Sequence, residues 1–323
     1  MLALPSEISS SYAYMSPIFP QSSATHLIQM RKSYYPLTLP PFIPPFPVYY
    51  IRMIIKKSDG AEQEFQAEKL TRALTRAKVP ETATKEIVFE IEKLLRPGTT
   101  THNIYERALH LLEARDPLGA ARFTLKHAMM ELGPTGFPFE QYFARLMEAY
   151  GWKTQVGATV SGKCVKHEVD VYAERGEEKR EVEAKYHNQS SGRTDVKVAL
   201  YVHARHLDLS GKDPSVRGVL VTNTEFTSEA IAYGECVEMK MKAWNYPRDR
   251  GLAYYIESKC LYPITVFSSL PKDSARALVQ DGRVLASELI SLTDDAAAHY
   301  KISEKVFETL KEQASALCEH RLE

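Results

Sequence analysis

Two neighbouring segments of this 323-residue sequence alternate acidic and apolar residues. The first covers residues 167–174 and contains Asp170, and the second covers residues 180–186 and contains Glu183 and Lys185. Successive side chains of a β-strand point to opposite faces, so each segment is typical of a strand with one apolar and one charged face. The apolar face is expected to carry Val169, Val171, Val182 and Ala184. The charged face is expected to carry Glu168, Asp170, Glu181, Glu183 and Lys185.

The dipeptide Gly176-Glu177 between these segments predicts a two-residue hairpin turn of type II′, which requires glycine at its first position. The turn sets Asp170 opposite Glu183, and we expect their carboxylates to lie within about 6 Å, close enough to share a hard cation. Opposed carboxylates repel each other unless solvent or a cation lies between them. A bound metal would lower the pKa of its water, and Lys185 would stabilise charge on a phosphate. Spacing alone leaves open the alternative of a solvated face of an antiparallel hairpin.

The pattern Asp170-x12-Glu183-Ala184-Lys185 resembles the PD-(D/E)xK nuclease signature, and specifically that of the Mrr-like restriction endonucleases. Further motifs of that family follow the same order across about residues 137–235. They are Phe139-Glu140, Gly151-Trp152, Glu168-Val169-Asp170-Val171, Lys185-Tyr186, Gly218 to Asn223, Phe226-Thr227 and Ala230. The resemblance implies a catalytic Lys185 and a Mg²⁺ or Mn²⁺ ion held by Asp170 and Glu183, with Glu140 as an additional metal ligand.

The first hairpin contains Ile55-Lys56-Lys57-Ser58-Asp59-Gly60 and is followed by Phe65, Lys69-Leu70 and, later, Thr101-x-x-Ile104. With these motifs, residues 54–132 resemble the ATP-cone domain of ribonucleotide reductases and their repressor. Lys57 precedes a glycine turn, where a phosphate approaches the backbone closely, and Lys69 lies at the start of the next helix, whose amides favour anions. The resemblance implies that Lys57, Lys69 and Thr101 contact ATP or dATP. Lys126 replaces the basic residue of an aromatic-arginine pair that often closes this domain. A hairpin–helix module that binds no nucleotide is the alternative.

The elements that position these residues predict an α+β protein. An N-terminal β-hairpin and four helices form the ATP-cone domain, residues 53–134. The order α-β-β-β-α-β-α then predicts a restriction-endonuclease-like mixed sheet flanked by helices over residues 135–270. A helical C-terminal extension follows over residues 271–323. Residues 1–52 hold half of the chain's 18 prolines and are expected to form a disordered leader.

Composition narrows the class of protein but not its substrate. Lys+Arg and Asp+Glu both number 41, so the net charge carries no nucleic-acid signal, although a local basic surface is enough to attract DNA. Six basic residues near the hairpin are candidates for a rim that contacts phosphate. They are Lys163, Lys166, Lys179, Arg180, Arg193 and Lys197.

Four cysteines without CxxC spacing indicate a reducing, cytoplasmic setting. No apolar run is long enough for a membrane span.

The sequence thus predicts a Mg²⁺-dependent DNA endonuclease regulated by ATP or dATP. Its partners would be DNA and nucleotide, and a homo-oligomer is left open. A non-catalytic, nucleotide-responsive DNA-binding regulator with a degenerate nuclease fold is the main alternative. Cleavage of RNA or of modified DNA is a further one.

Overall fold

A computed structural model of the protein describes residues 53–57 and 60–319. The Pro-rich leader and Ser58-Asp59 of the first turn lie outside these residues. All described residues belong to one compact unit, Ile51–Glu323. In this part of the chain, no helix is both long and apolar enough to cross a membrane.

The first part of this unit is the predicted hairpin followed by four helices. Its elements are β1 (Ile54–Lys56), β2 (Glu62–Glu64), α1 (Ala67–Arg76), α2 (Glu81–Leu94), α3 (Thr101–Arg115) and α4 (Pro117–Met130). The two strands are antiparallel. Leu70, Leu74, Ile87 and Ile91 recur at helical spacing and form a buried core with the first strand. Thr100 begins α3 with a capping box, because its side chain accepts from the Asn103 amide while the Asn103 side chain accepts from the Thr100 amide.

A five-stranded mixed sheet follows. Its elements are α5 (Phe137–Ala149), β3 (Lys153–Ser161), β4 (Lys166–Arg175), β5 (Glu178–Lys185), β6 (Arg193–Thr194), α6 (Val196–Lys212), β7 (Val216–Thr222), β8 (Glu225–Phe226), α7 (Ser228–Cys236) and β9 (Lys240–Lys242). The order is β3-β4-β5-β7-β9, and β6 pairs with β8 in a separate two-stranded sheet. Strands β3, β4 and β5 are antiparallel, whereas β5, β7 and β9 are parallel. The predicted mixed α+β architecture is confirmed.

The edge strand β9, which follows α7, is an element that the predicted order α-β-β-β-α-β-α does not contain. The helix ends at Cys236 because Glu238 adopts a left-handed conformation with a φ of 55°. The Met239 amide then donates to the Gly234 carbonyl. The chain turns back, and β9 packs Met241 against Gly234, where any side chain would overlap the Met241 sulfur.

Helix α8 (Leu252–Lys259) and a short 3-10 turn at Ile264–Val266 follow the sheet. The described part of the predicted C-terminal extension, residues 271–319, is helical and contains α9 (Lys272–Gln280), α10 (Asp294–His299) and α11 (Glu304–Glu319), with a 3-10 turn at Ala286–Leu289. These elements share one core with α4, α5 and the inner face of the sheet. The Thr265 hydroxyl donates to the Ala128 carbonyl on α4 at 2.7 Å, and the Tyr142 hydroxyl of α5 donates to the Leu261 carbonyl at 2.5 Å. The segment is therefore part of the fold rather than an appended tail.

Candidate nuclease and nucleotide sites

The hairpin of β4 and β5 has the predicted register. Val171 pairs with Val182 and Arg175 pairs with Glu178, which leaves Gly176 and Glu177 as a two-residue turn. Gly176 has a φ of 59°, the positive value that the first position of such a turn requires. The register prediction is confirmed.

The two strands part at Asp170, where the sequence predicts a directly opposed pair of carboxylates. The β4–β5 ladder ends at Val171, one residue before Asp170. The Asp170 Oδ2 accepts a hydrogen bond from the Ala184 amide at 2.7 Å, so a side chain takes the place of a ladder bond. Val169 packs with Leu209 of α6, whereas Val171, Val182 and Ala184, with which it was expected to share a face, belong to a different core cluster.

Glu140 joins Asp170 and Glu183 from the first turn of α5. Burial raises the pKa of Glu140 to about 7, and the negative charges of Asp170, Glu183 and Glu168 add to the shift. The pKa of Asp170 is also raised, first by burial and then by Glu183, while the Ala184 amide opposes the change. These carboxylates are therefore close enough to repel one another.

A buried arginine on α6 neutralises part of this charge. Arg205 is 3% exposed, and its guanidinium donates at 2.9 Å to Glu181 and at 2.8 Å to Glu183. Glu181 is fully buried, which argues against the alternative of a plain solvated hairpin face. Burial raises the pKa of Glu181 to about 7, although Arg205 opposes the shift. The charged face is covered by α6 rather than by water alone.

Sequence reasoning missed Arg205, although the sequence contains a signal for it. Ala199, Val202 and Leu209 form the buried stripe of α6, and Arg205 falls on the same stripe at helical spacing. An arginine on an apolar stripe requires a buried acceptor, since a buried charge is costly unless it is paired. The two glutamates of β5 are those acceptors.

Lys185 lies at the end of β5, where the strand pairs with the buried Thr222 of β7. Its side chain is exposed. Burial raises the pKa of Asp170 and lowers that of His187, and the positive charge of Lys185 opposes the first shift and adds to the second. Within the part of the chain that the structure describes, no carboxylate forms an ion pair with Lys185. Its ammonium therefore lies near the acidic residues and is not engaged by them.

The donor set around Asp170 suits a hard divalent cation. The candidate metal-binding atoms there are all carboxylate oxygens, and Mg²⁺ is commonly held by one or two carboxylates together with phosphate and water. Burial raises the pKa values of Glu140 and Asp170, and the charges of the neighbouring carboxylates add to both shifts. No group of three or more His, Cys, Asp or Glu side chains among the described residues is arranged to hold a metal. The roles of Asp170, Glu183 and Glu140 as metal ligands stay predictions.

The segment after Lys185 is fixed at both of its ends. Asn223, which is fully buried, accepts from the His187 amide at 2.8 Å and donates to the His187 carbonyl at 2.7 Å. The His187 ring bonds the Thr194 hydroxyl at 3.0 Å. His167 is similarly paired, with Asp208 at 2.8 Å. Both histidines thus have partners within the protein.

The basic rim is partly neutralised within the protein. Lys179, Arg180 and Arg193 form ion pairs with Asp213, Glu178 and Glu225, respectively. The exposed Lys163, Lys166 and Lys197 have no carboxylate partner among the described residues. These three lysines are therefore the rim residues whose positive charge is available to contact phosphate.

The candidate nucleotide residues separate into two groups. Lys57 and Lys69 are exposed, the first after β1 and the second in the first turn of α1. Thr101 and Lys126 line one cavity of about 830 Å³. Lys57 and Lys69 are not among the residues that line it.

Comparisons with known proteins match three successive parts of the chain. The family model of the ATP cone domain matches residues 53–127, and that of the restriction endonuclease family Mrr_cat matches residues 134–248. A third model, described as AF1548-like, C-terminal, matches residues 262–318. The chain therefore combines an ATP-cone domain with a restriction-endonuclease-like domain.

An uncharacterised protein from Archaeoglobus fulgidus is 37% identical over 162 residues, which cover 50% of this chain and 91% of that protein. The chain belongs to the AF1548-like family. The crystal structure of the protein of unknown function AF1548 is 33% identical, covers 57% of this chain and 99% of its own, and has a TM-score of 0.49. The MspJI restriction endonuclease, solved with a 27-mer oligonucleotide, is 15% identical, covers 68% of this chain and 44% of its own, and has a TM-score of 0.27.

Proposed function

We propose that this protein is a DNA endonuclease that depends on Mg²⁺ or Mn²⁺ and responds to ATP or dATP. The observation that carries the proposal is the parting of β4 and β5 at Asp170. There burial raises the pKa of Glu140 and of Asp170, and the charge of Glu183 adds to both shifts. Beside them lies Lys185, which has no carboxylate partner among the residues that the structure describes. A solvated hairpin needs none of this arrangement.

The chemistry follows from the charges around the parting strands. A bound Mg²⁺ or Mn²⁺ supplies an acidic water and polarises the scissile phosphate. Asp170 and Glu183 would hold that ion through their oxygens, and Asp170 is itself oriented by the Ala184 amide. The Lys185 ammonium would lie beside the phosphate and stabilise the charge that develops on its oxygens. Glu140, with a pKa of about 7, is protonated in about half of the metal-free molecules at neutral pH.

A plasmid-nicking assay with Mg²⁺ or Mn²⁺, with and without ATP, tests the proposal. Lys185→Ala should reduce cleavage at least about a hundredfold, because a group that stabilises the transition state is lost. Asp170→Asn should abolish cleavage but keep the fold, because the amide oxygen still accepts from Ala184. Lys153→Ala, which alters an exposed lysine of β3, is the matched control and should cut normally. Cleavage that survives both site substitutions would move the active site elsewhere.

The ion pair between Arg205 and Glu183 favours a second candidate, a regulator that binds DNA without cutting it. A carboxylate engaged by a buried guanidinium is less available to a cation. This second function would be favoured if the wild-type protein binds DNA with an affinity that falls as the salt concentration rises. The same protein would then cut no DNA with Mg²⁺ or Mn²⁺, in the presence of ATP or of dATP. Metal-dependent nicking that is lost in Lys185→Ala would exclude it.

A further inference from the structure

A cavity of about 830 Å³ lies between the ATP-cone domain and the restriction-endonuclease-like domain. One wall comes from the first turns of α3 and the second half of α4, including Thr101, Tyr105 and Lys126. The opposite wall is the segment from Asn188 to Ser191, which begins three residues after Lys185. Any ligand that fills the cavity therefore contacts both domains.

The cone wall has the chemistry of a nucleotide site. Helix α3 begins at Thr101, so its free amides and positive dipole end favour an anion. Lys126 and His127 line the cavity, and the hydrogen bond to Glu131 raises the pKa of His127, which favours its charged form. Beside these cations the rings of Tyr105 and Phe123 are stacked with centroids 5.3 Å apart and planes 15° apart. The positive charges would bind the phosphates of a nucleotide, and the stacked rings would pack against its base.

The Tyr105 hydroxyl points to a missing partner. It is buried and has no hydrogen-bond partner in the described structure, and burial is the main cause that raises the pKa of Tyr105. Buried hydroxyls are almost always paired, since an unpaired one loses its hydration without compensation. A ligand oxygen or nitrogen in the cavity would satisfy it.

The nuclease wall is tied to the candidate active site. The Tyr186 hydroxyl donates to the Met130 carbonyl at the end of α4, and Asn223 clamps His187. Between these fixed points and Thr194, residues Asn188 to Ser191 present exposed amide and hydroxyl groups to the cavity. Groups of this type bond phosphate and ribose oxygens.

We propose that this cavity is a composite nucleotide site in which the Asn188–Ser191 segment supplies one wall, so that a nucleoside triphosphate is held by both domains at once. The proposal rests on the nucleotide response proposed above and assigns the segment of the nuclease domain that senses the bound nucleotide. Occupancy fixes the segment that leads out of Lys185, and the ATP-cone thereby acts on the nuclease domain by direct contact.

Equilibrium binding of Mg²⁺-ATP to the intact chain is the first test. Tyr105→Phe removes only an unpartnered hydroxyl, so it should leave the free protein as stable as wild type and weaken ATP binding roughly three- to tenfold. The double variant Asn188→Ala with Gln189→Ala should weaken binding by at least as much, although both residues belong to the nuclease domain. Gln155→Ala, an exposed glutamine on β3 outside the cavity, is the matched control and should bind ATP like wild type.

Hydrogen exchange with and without Mg²⁺-ATP is the second test. ATP should slow exchange in peptides that cover residues 187–192, and the double variant should lose this protection. Unchanged affinity in both variants, together with unprotected 187–192 peptides, would overturn the composite site. A wild-type chain that does not bind ATP would overturn it together with the nucleotide response. If the chain binds ATP and the 187–192 peptides are protected, but no DNA is cut, the result would support the composite site and contradict only the proposed nuclease activity.

Discussion

Glu140 is the residue at which burial and mutual repulsion act most clearly together. An ordinary glutamate has a pKa near 4.5, and that of Glu140 is raised to about 7 by burial and by three neighbouring carboxylates. The folded state of the metal-free protein therefore holds a proton there that the unfolded state releases. Because its folded pKa is raised, ionised Glu140 destabilises the fold, and stability should fall as pH rises from about 4.5 to above 7.

Glu140→Gln removes this ionisation and should flatten the pH dependence. In EDTA, the variant should lose less stability than wild type between pH 5 and pH 8, by about 1 kcal/mol once partial solvent exposure is allowed for. Urea denaturation at both pH values measures the difference. Glu177→Gln alters an exposed glutamate of the hairpin turn and should track the wild type. An equally steep loss in Glu140→Gln would show that another group carries the pH dependence.

His127 should make nucleotide binding depend on pH. Its pKa is raised above the ordinary 6.5 by the Glu131 hydrogen bond, although burial opposes the change. The cation is present below that raised value and is lost above it, so ATP affinity should fall as pH rises beyond about 6.5. The free ATP titrates in the same range, so the comparison with His127→Asn isolates the histidine. If wild type and variant have parallel pH profiles, His127 does not contact the phosphates.

At the scale of elements, α6 joins the sheet to the candidate site through one side chain. Arg205 satisfies Glu181 and Glu183 on the neighbouring strand and also donates to the Glu168 carbonyl. Truncation of one partner leaves an uncompensated buried charge, which costs much more than the loss of a surface pair. The strength of the contact between α6 and the sheet therefore depends on this arginine.

Arg205→Ala should destabilise the protein by about 3–5 kcal/mol in urea unfolding. Arg115→Ala removes a partly exposed ion pair with Glu90 at 2.6 Å and should cost only about 0–1 kcal/mol. Combining Arg205→Met with Glu181→Gln should recover part of the loss, because fewer unpaired charges stay buried. Equal costs for the two arginine variants would mean that water reaches Glu181.

Some features of the fold could be predicted from local sequence, whereas others depend on tertiary packing. The β4–β5 register follows from one glycine turn and strict alternation, so it was predictable from the hairpin alone. The parting of the strands was not, because the Asp170–Ala184 bond depends on the conformation of both strands. Strand β9 was missed because it is only three residues long and follows a non-glycine residue with positive φ. Arg205 required knowledge that α6 packs over β5.

The molecule as a whole has two cores that meet at α4. Leu70 and Leu74 belong to the core of the cone alone, whereas Leu125 and Met129 of α4 belong to the core formed by the nuclease sheet and the C-terminal helices. Helix α11 packs directly on α4. One side of α4 thus lines the cavity of about 830 Å³, while another side is part of the core of the restriction-endonuclease-like domain. This shared helix explains how the two domains form one compact unit.

This arrangement predicts which regions open together when each core is weakened. Leu74→Ala, at a fully buried site of the cone core, should cost about 2–5 kcal/mol and speed hydrogen exchange mainly in α1, α2 and α3. Phe307→Ala, at a buried site of α11, should cost about 3–5 kcal/mol and speed exchange in α4, α5 and α8 together, far along the chain from the substitution. The two variants are matched in burial and differ only in the core they weaken. If α4 stays protected in Phe307→Ala and opens in Leu74→Ala, the helix belongs energetically to the cone, and a nucleotide in the cavity could reach the nuclease domain only through the Asn188–Ser191 segment.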